Sequence, residues 1–144
     1  ERAGKNTTGS ITGIYTVLVE GDDFNEPVAD AVRSILDGHI VLTRELADQG
    51  HYPSIDVLKS ISRLRPDVAP PEALEAGKTI IRHMATYKRV EDMVNIGAYA
   101  KGSNPEIDKA LEVINPIQRF LQQEVQEKSS LEDSFEQLSK VAAM

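Results

Sequence analysis

The sequence predicts an α/β segment followed by an all-α segment. Before residue 66, short apolar runs rich in β-branched residues alternate with helical patterns, as in the C-terminal part of a parallel-sheet domain. After Pro70 and Pro71, apolar residues recur only at helical spacing, which indicates a small helical bundle. Since two consecutive prolines block continuation of a regular element, the boundary is expected between Arg65 and Pro70. The predicted domains are residues 1–66 and 67–144.

The first half is expected to contain two strands and two helices. Residues 10–19 are β-branched and aromatic, which is typical of a strand buried on both faces of a parallel sheet. A helix of about ten residues should begin at Pro27 and pack on that sheet. A second short strand is predicted over 39–43, and one or two helical turns over 44–49 should end at Gly50. The apolar face of the Pro27 helix would comprise Val28, Ala31, Val32 and Ile35.

Three amphipathic helices are predicted in the second half. The first spans about 72–96 and ends before Gly97. The second covers residues 107–121, with a kink or a restart at Asn115-Pro116. Ser130 and Asp133 have the spacing of a capping box, so a third helix should begin there.

The composition argues against several classes of function. The chain has 144 residues, 16 basic and 23 acidic, and its net charge of −7 provides no diffuse basic field for nucleic acid. It has no cysteine, hence no disulfide and no thiolate metal site. No apolar run approaches the ~20 residues that span a bilayer. The start at Glu1 resembles neither a signal peptide nor an initiator-Met terminus, so we expect a piece of a longer chain.

Motifs alone indicate no complete active site. His39, His51 and His83 lie on different predicted elements without metal-ligand spacing, so no metal site is predicted. No Gly-x-x-x-x-Gly-Lys-Ser/Thr phosphate loop and no Gly-x-Ser-x-Gly elbow is present. The acidic loop from Glu20 to Pro27 is either a solvated loop that caps the next helix or a site for a hard cation.

Two residues combine rigidity with the chemistry of nucleotide recognition. Tyr52, followed by proline, is either a structural turn residue whose ring covers a core edge or a platform for a purine. Arg63 is either a surface cation that pairs with a carboxylate or a group that stabilises a transferring phosphoryl group across a subunit boundary. Composition does not separate these interpretations.

Five segments of the sequence bear a specific resemblance to a known family. They are residues 9–23, 26–30, 35–42, 51–58 and 60–63, the last reading Ser-Ile-Ser-Arg. In order and content they resemble the C-terminal portion of the flagellar and type III secretion export ATPases, which are relatives of the rotary ATP synthase catalytic subunits. Residues 94–99 and 120–123 resemble the flagellar branch more than the injectisome branch.

The resemblance implies the end of a RecA-like ATP-binding domain and a helical C-terminal domain, assembled as a homohexamer with nucleotide at each subunit boundary. It implies that Arg63 is the arginine finger reaching the γ-phosphate held by the neighbouring subunit. Tyr52 stands at the adenine-stacking position, and Val125 would close the other side of the base. The synthases carry aromatic residues at the position of Val125, so a weaker grip on adenine is expected. ATP and Mg²⁺ would be bound mainly by residues outside this chain.

The resemblance also implies partners and a location. Asp22 to Pro27 would contact a coiled-coil central stalk protein, and the other partners would be a peripheral-stalk regulator, export chaperones and substrates. No nucleic acid is expected, and the membrane would be met only through the export gate, from the cytoplasmic side. Without a phosphate loop the chain alone should be inactive, so the alternative is a non-catalytic module that binds a coiled-coil stalk or an export chaperone. A rotary ATP synthase subunit is disfavoured by Gly-His-Tyr-Pro and Gly-Ala-Tyr-Ala-Lys-Gly.

Overall fold

Helices account for most of the regular structure in the computed structural model, which describes residues 3–19, 21 and 26–144. In these ranges the last strand ends at Ser62 and every later element is a helix, in agreement with the predicted change from α/β to all-α. The chain divides into two units, Glu1–Leu36 and Asp37–Met144. The domain boundary expected between Arg65 and Pro70 stays a prediction.

The unit Glu1–Leu36 begins with two short antiparallel strands, β1 (Gly4–Lys5) and β2 (Ser10–Ile11). The Asn6 side chain closes the turn between them, because its Oδ1 accepts hydrogen bonds of 2.9 Å from the backbone N–H groups of Thr8 and Gly9.

The predicted strand over residues 10–19 is wrong beyond Ile11. Residues 12–19 belong to no helix or strand, and the side chains of Ile14 and Leu18 are 94% and 91% exposed. A β-branched composition reflects fit to a pleated, half-buried surface rather than an intrinsic backbone preference. No described segment of this unit pairs with residues 12–19, so the composition alone does not produce a strand.

Helix α1 (Pro27–Ile35) has Pro27 in its first turn, as predicted. Its predicted apolar face is wrong in part, since Ala29 is buried while Val28 and Ile35 are 63% and 79% exposed. Periodicity identifies which residues share a face but does not say what covers it.

The unit Asp37–Met144 opens with a second antiparallel pair, β3 (Gly38–His39) and β4 (Ile61–Ser62). The strand predicted over 39–43 is therefore shorter than expected and pairs antiparallel rather than parallel. Between the two strands in sequence lies α2 (Arg44–Asp48). Thr43 caps its N-terminus, since the Thr43 hydroxyl accepts a hydrogen bond from the Leu46 N–H. Gly50 follows with φ +72°, the left-handed conformation predicted there.

The short helix α3 (Arg65–Val68) is not predicted by the sequence patterns. The three helices that follow agree closely with prediction: α4 (Pro71–Asn95), α5 (Pro105–Leu121) and α6 (Leu131–Ala142). Helix α5 runs through Pro116 as one helix, so the restart is excluded and the kink stays a prediction. Ser130 caps α6, since its hydroxyl accepts a hydrogen bond of 3.0 Å from the Asp133 N–H.

Helices α4, α5 and α6 share one apolar core. Ile80, Val113 and Ile117 are buried at its centre, and Ile117 is 0% exposed. Burial of one such side chain stabilises the fold by about 1.5–3 kcal/mol. The side chains packed around this centre are Met84, Phe120, Leu121, Leu138, Val141 and Ala142. The last turn of α5 is therefore held in place, and it leads into the segment that carries Val125.

Candidate nucleotide-binding edge

Tyr52 lies on a short loop that the backbone holds firmly. This loop, residues 50–54 and called the Tyr52 loop below, is anchored by the His51 N–H, which donates to the Leu46 carbonyl at 2.9 Å. The Tyr52–Pro53 peptide bond is cis. The Tyr52 ring is 57% exposed, so it does not act as a core residue. Of the two interpretations of Tyr52, an exposed ring on an ordered loop is the geometry that a base platform requires.

Val125 lies on the segment that connects α5 to α6, residues 122–130, called the connector below. The backbone N–H of Gln123 donates to the Tyr52 carbonyl at 2.9 Å. Val125 follows two residues later and is 93% exposed. The fold thus brings the two segments that carry Tyr52 and Val125 together, although they are far apart in sequence.

A second contact joins the same two segments. The Nε2 atom of Gln122 lies 3.5 Å from Nδ1 of His51, at the long end of the hydrogen-bond range. His51 is 8% exposed and is one of two buried polar residues in the described part of the chain. No sequence motif indicates that His51 and Gln122 are in contact, because no local spacing relates residues 71 positions apart.

Arg63 follows directly after β4 and is exposed. Its backbone N–H donates to the Asp37 carbonyl at 2.8 Å, which extends the β3–β4 pairing by one contact. The close approach of the strands at Gly38 supports this arrangement, since a Cβ atom there would lie 2.6 Å from the Ile61 carbonyl oxygen. Arg63 is therefore presented at the surface from a fixed backbone position.

The remaining candidates give no further site. Most of the predicted stalk contact, Asp22 to Asn25, lies outside the described residues, and Glu26 and Pro27 form the start of α1. In the described ranges, no three His, Asp or Glu side chains lie together as metal ligands would. His39 contacts the Lys59 carbonyl through Nε2 at 3.1 Å, apart from the His51 contact.

A separate groove of about 350 Å³ opens between residues 43–59 and helices α4 and α5. Tyr87 and Lys88 contribute to its lining, whereas Tyr52 and Arg63 do not. The Lys88 ammonium donates a hydrogen bond of 2.9 Å to the Glu91 carboxylate, and this bond raises the pKa of Lys88 because it stabilises the charged form. The groove reaches the Tyr52 loop at His51, but neither Tyr52 nor Val125 lines it.

The exposed side chains of Tyr52 and Val125 suit the two faces of a planar base, which are themselves apolar. The sequence holds no phosphate loop, so phosphates and Mg²⁺ would have to be held by residues other than these.

Comparison with known proteins places the chain in a family. Residues 69–140 match the family described as the type III secretion EscN ATPase C-terminal domain. The chain belongs to the flagellar and type III secretion export ATPase family. Residues 1–62 match the nucleotide-binding domain of the ATP synthase alpha/beta family. The recognition made from the sequence segments is thereby confirmed.

Individual export ATPases are similar along the whole chain. The flagellum-specific ATP synthase of Treponema pallidum is 48% identical over 144 residues, which are 100% of this chain and 32% of the relative. The assembled ATPase EscN of enteropathogenic E. coli is 50% identical with a TM-score of 0.93, over 98% of this chain and 34% of EscN. The chain thus spans about a third of the length of the relatives it matches. Identity to flagellar and injectisome members is similar and does not separate the two branches.

A further structure shows EscN in complex with its central stalk EscO. There EscN is 48% identical with a TM-score of 0.86, over 98% of this chain and 33% of EscN. As for membranes, none of the described helices combines the length and apolar character that crossing a bilayer requires.

Proposed function

We propose that this chain acts as the C-terminal segment of a protein-exporting ATPase. Six copies of the intact subunit would form a ring that hydrolyses ATP with Mg²⁺ to release, unfold and export substrates. The similarity to EscN, 50% identical over 98% of the chain, is the observation that carries the proposal. The activity belongs to the intact ATPase, and the chain alone is expected to hydrolyse no ATP.

In this proposal, Tyr52 and Val125 contact the two faces of the adenine. The hydrogen bond from Gln123 to the Tyr52 carbonyl supports a common slot, since it ties the two segments that carry these side chains. Stacking of a base on an aromatic ring contributes about 1–3 kcal/mol, and an aliphatic side chain on the other face contributes less. Adenine binding is therefore expected to depend more on Tyr52 than on Val125.

Arg63 would act on the nucleotide held by the neighbouring subunit. In hydrolysis, water adds to the γ-phosphorus and the bond to the bridging oxygen of ADP breaks, while negative charge is spread over the γ-oxygens. A planar guanidinium donates two parallel hydrogen bonds to such oxygens. The exposure of Arg63 and its anchored backbone support this role, because the residue is accessible to another subunit.

The partners follow the same proposal. Asp22 to Pro27 would contact a coiled-coil central stalk, as a proposal drawn from the complex of EscN with EscO. The helical domain would meet export chaperones and substrates, and a peripheral-stalk regulator would be a further partner of the intact ATPase. The ring would work in the cytoplasm at the export apparatus, and it would meet the membrane only through the export gate.

Substitution of Arg63 in the intact ATPase tests the catalytic role. Arg63→Lys is expected to lower kcat by at least about a hundredfold, because an ammonium does not reproduce the planar fork, while the Kd for ATP changes little. Arg65→Lys is the matched control, since Arg65 is an exposed arginine two residues away at the start of α3. Turnover that is equal in the two variants would refute the assignment of Arg63.

A second candidate is a non-catalytic module that binds a coiled coil or a chaperone. The sequence favours it for the chain by itself, because no phosphate loop is present. Calorimetry of the 144-residue chain with a stalk protein and with ATP distinguishes the two. Affinity for the protein without affinity for ATP supports the module for this segment, whereas binding of ATP alone contradicts it.

A further inference from the structure

We infer that His51 and the pair Gln122-Gln123 are positioning residues, which hold Tyr52 and Val125 at the separation that an adenine base requires. The inference rests on the proposed function, in which those two side chains contact the base. It adds that the connector sets the geometry of the base slot, and that its contacts with the Tyr52 loop control affinity for the base without contributing to hydrolysis.

The exposure of the Tyr52 ring is the first step. A side chain that is 57% exposed has little packing to fix its direction, so the direction must come from the backbone. The Tyr52 carbonyl accepts the Gln123 N–H at 2.9 Å, and this bond orients the peptide plane next to the Tyr52 Cα atom. The ring direction therefore depends on a donor that lies on the connector.

His51 supplies the second step. Its ring is buried, and a buried imidazole is costly unless its nitrogens have partners. The Gln122 side chain lies 3.5 Å from the ring nitrogen Nδ1 of His51. The backbone N–H of His51 donates to the Leu46 carbonyl at 2.9 Å. Gln122 thus adds a side-chain contact beside the backbone bond, and the two contacts together restrict rotation of the connector against the Tyr52 loop.

Val125 completes the slot. It stands two residues beyond Gln123 and is 93% exposed, so its position is also determined by the backbone of the connector. If the connector moves away from the Tyr52 loop, only a fraction of molecules holds Tyr52 and Val125 in place for the base at the same time. The apparent affinity for ATP then falls in proportion to that fraction. The loss should appear in binding of the base and should spare binding of the phosphates.

The experiment uses the intact ATPase and compares two substitutions at one position. Gln123→Pro removes the N–H donor, and Gln123→Ala keeps it. Both variants lose the Gln123 side-chain bond to the Glu127 carbonyl, so they differ in the donor to Tyr52. The backbone of Gln122, with φ −93° and ψ 147°, already has the conformation that a following proline demands.

The KM for ATP should be about three- to tenfold higher in Gln123→Pro than in Gln123→Ala, the range expected for loss of one hydrogen bond. The kcat values of the two variants should agree within about twofold, because the connector does not touch the phosphates. Inhibition by inorganic triphosphate, which has no base, should be equal in both. A role in folding alone would alter kcat and triphosphate inhibition as well.

A side-chain series provides an independent measurement. Gln122→Ala should raise the KM for ATP, because it removes the amide donor that lies 3.5 Å from Nδ1 of His51. Gln126→Ala is the control, because Gln126 is an exposed glutamine on the same connector. If Gln123→Pro does not assemble, equal KM values for Gln122→Ala and Gln126→Ala overturn the inference.

Tyr52→Ala, with Tyr52→Phe as its control, separates this inference from the proposed function. A raised KM in Tyr52→Ala together with equal KM values in the two Gln123 variants overturns the positioning role and leaves the adenine contact standing. An unchanged KM in Tyr52→Ala removes the adenine contact itself, and the positioning role falls with it.

Discussion

The Thr86 hydroxyl donates a hydrogen bond of 3.1 Å to Oε1 of Glu106, and this bond joins the middle of α4 to the first turn of α5. Thr86 is 4% exposed, while Glu106 is exposed. The bond therefore satisfies a buried hydroxyl with a carboxylate that also reaches water. On α5 the bond lies in the first turn, whereas the buried core residue Ile117 lies near the other end of that helix.

Removal of the Thr86 hydroxyl measures this link. Thr86→Val keeps the shape of the side chain and loses the donor, and Glu106 then binds water, so the free energy of unfolding should fall by only about 0.5–1.5 kcal/mol. Urea unfolding of the chain checks the value. In a double-mutant cycle with Glu106→Ala, Thr86→Val should show a coupling energy, whereas Thr86→Ser, which keeps the hydroxyl, should show little. A cycle for Thr86→Val with no more coupling than the cycle for Thr86→Ser would contradict the bond.

Two glycines should respond to alanine in opposite directions. A Cβ atom at Gly38 would lie 2.6 Å from the backbone oxygen of Ile61, so Gly38→Ala must push β3 and β4 apart and should cost about 1–3 kcal/mol. Gly77 lies inside α4, where an added Cβ meets nothing within 4 Å. Gly77→Ala should stabilise the chain by about 0.5–1 kcal/mol. Thermal unfolding of both variants checks the signs, and destabilisation by Gly77→Ala would contradict the open space at that position.

The stability of the helical bundle should fall in mild acid because of His83. Burial, followed by the positive charges of Arg82 and Lys109, lowers the pKa of His83 below its ordinary value of 6.5, and Glu106 opposes this shift. Its Nδ1 atom is buried without a hydrogen bond. The unfolded chain thus binds more protons than the folded chain as pH falls through 6.5. The contribution of His83 to the free energy of unfolding is therefore complete above that pH and declines as the pH falls below it.

The variant His83→Gln checks the origin of this loss. Glutamine does not titrate, so the difference in urea midpoint between pH 7.5 and pH 5.5, two values on either side of about 6.5, should be smaller in the variant than in the wild type. An equal difference in both proteins would assign the acid sensitivity to other groups.

Enlargement of Val125 should strengthen the grip on adenine in the intact ATPase. Val125 is exposed, and in the proposed function it contacts the face of the base opposite Tyr52. Phenylalanine there would add a second stacking face, so Val125→Phe should lower the KM for ATP about three- to tenfold. Val125→Leu adds volume without a π-face and serves as the control. Equal KM values for the two variants would mean that Val125 does not face the base.

Local sequence signals were sufficient for helices whose start and end are set by residues within the helix or next to it. Helix α4 was predicted over 72–96 and occupies Pro71–Asn95, because proline, helical periodicity and Gly97 act within one stretch of chain. The cap of α6 at Ser130 is likewise a local hydrogen bond. The strand predicted over 10–19 failed, since a strand needs a partner that its own residues do not specify.

The amino-acid sequence by itself determined the three helices of the bundle and the family, because periodicity, capping and ordered motifs are properties of neighbouring residues. Only the tertiary structure decided that His51 meets Gln122 and that Tyr52 accepts a hydrogen bond from Gln123. Those contacts join residues 71 positions apart. Their formation depends on how α5 packs in the helical core, which no local pattern encodes.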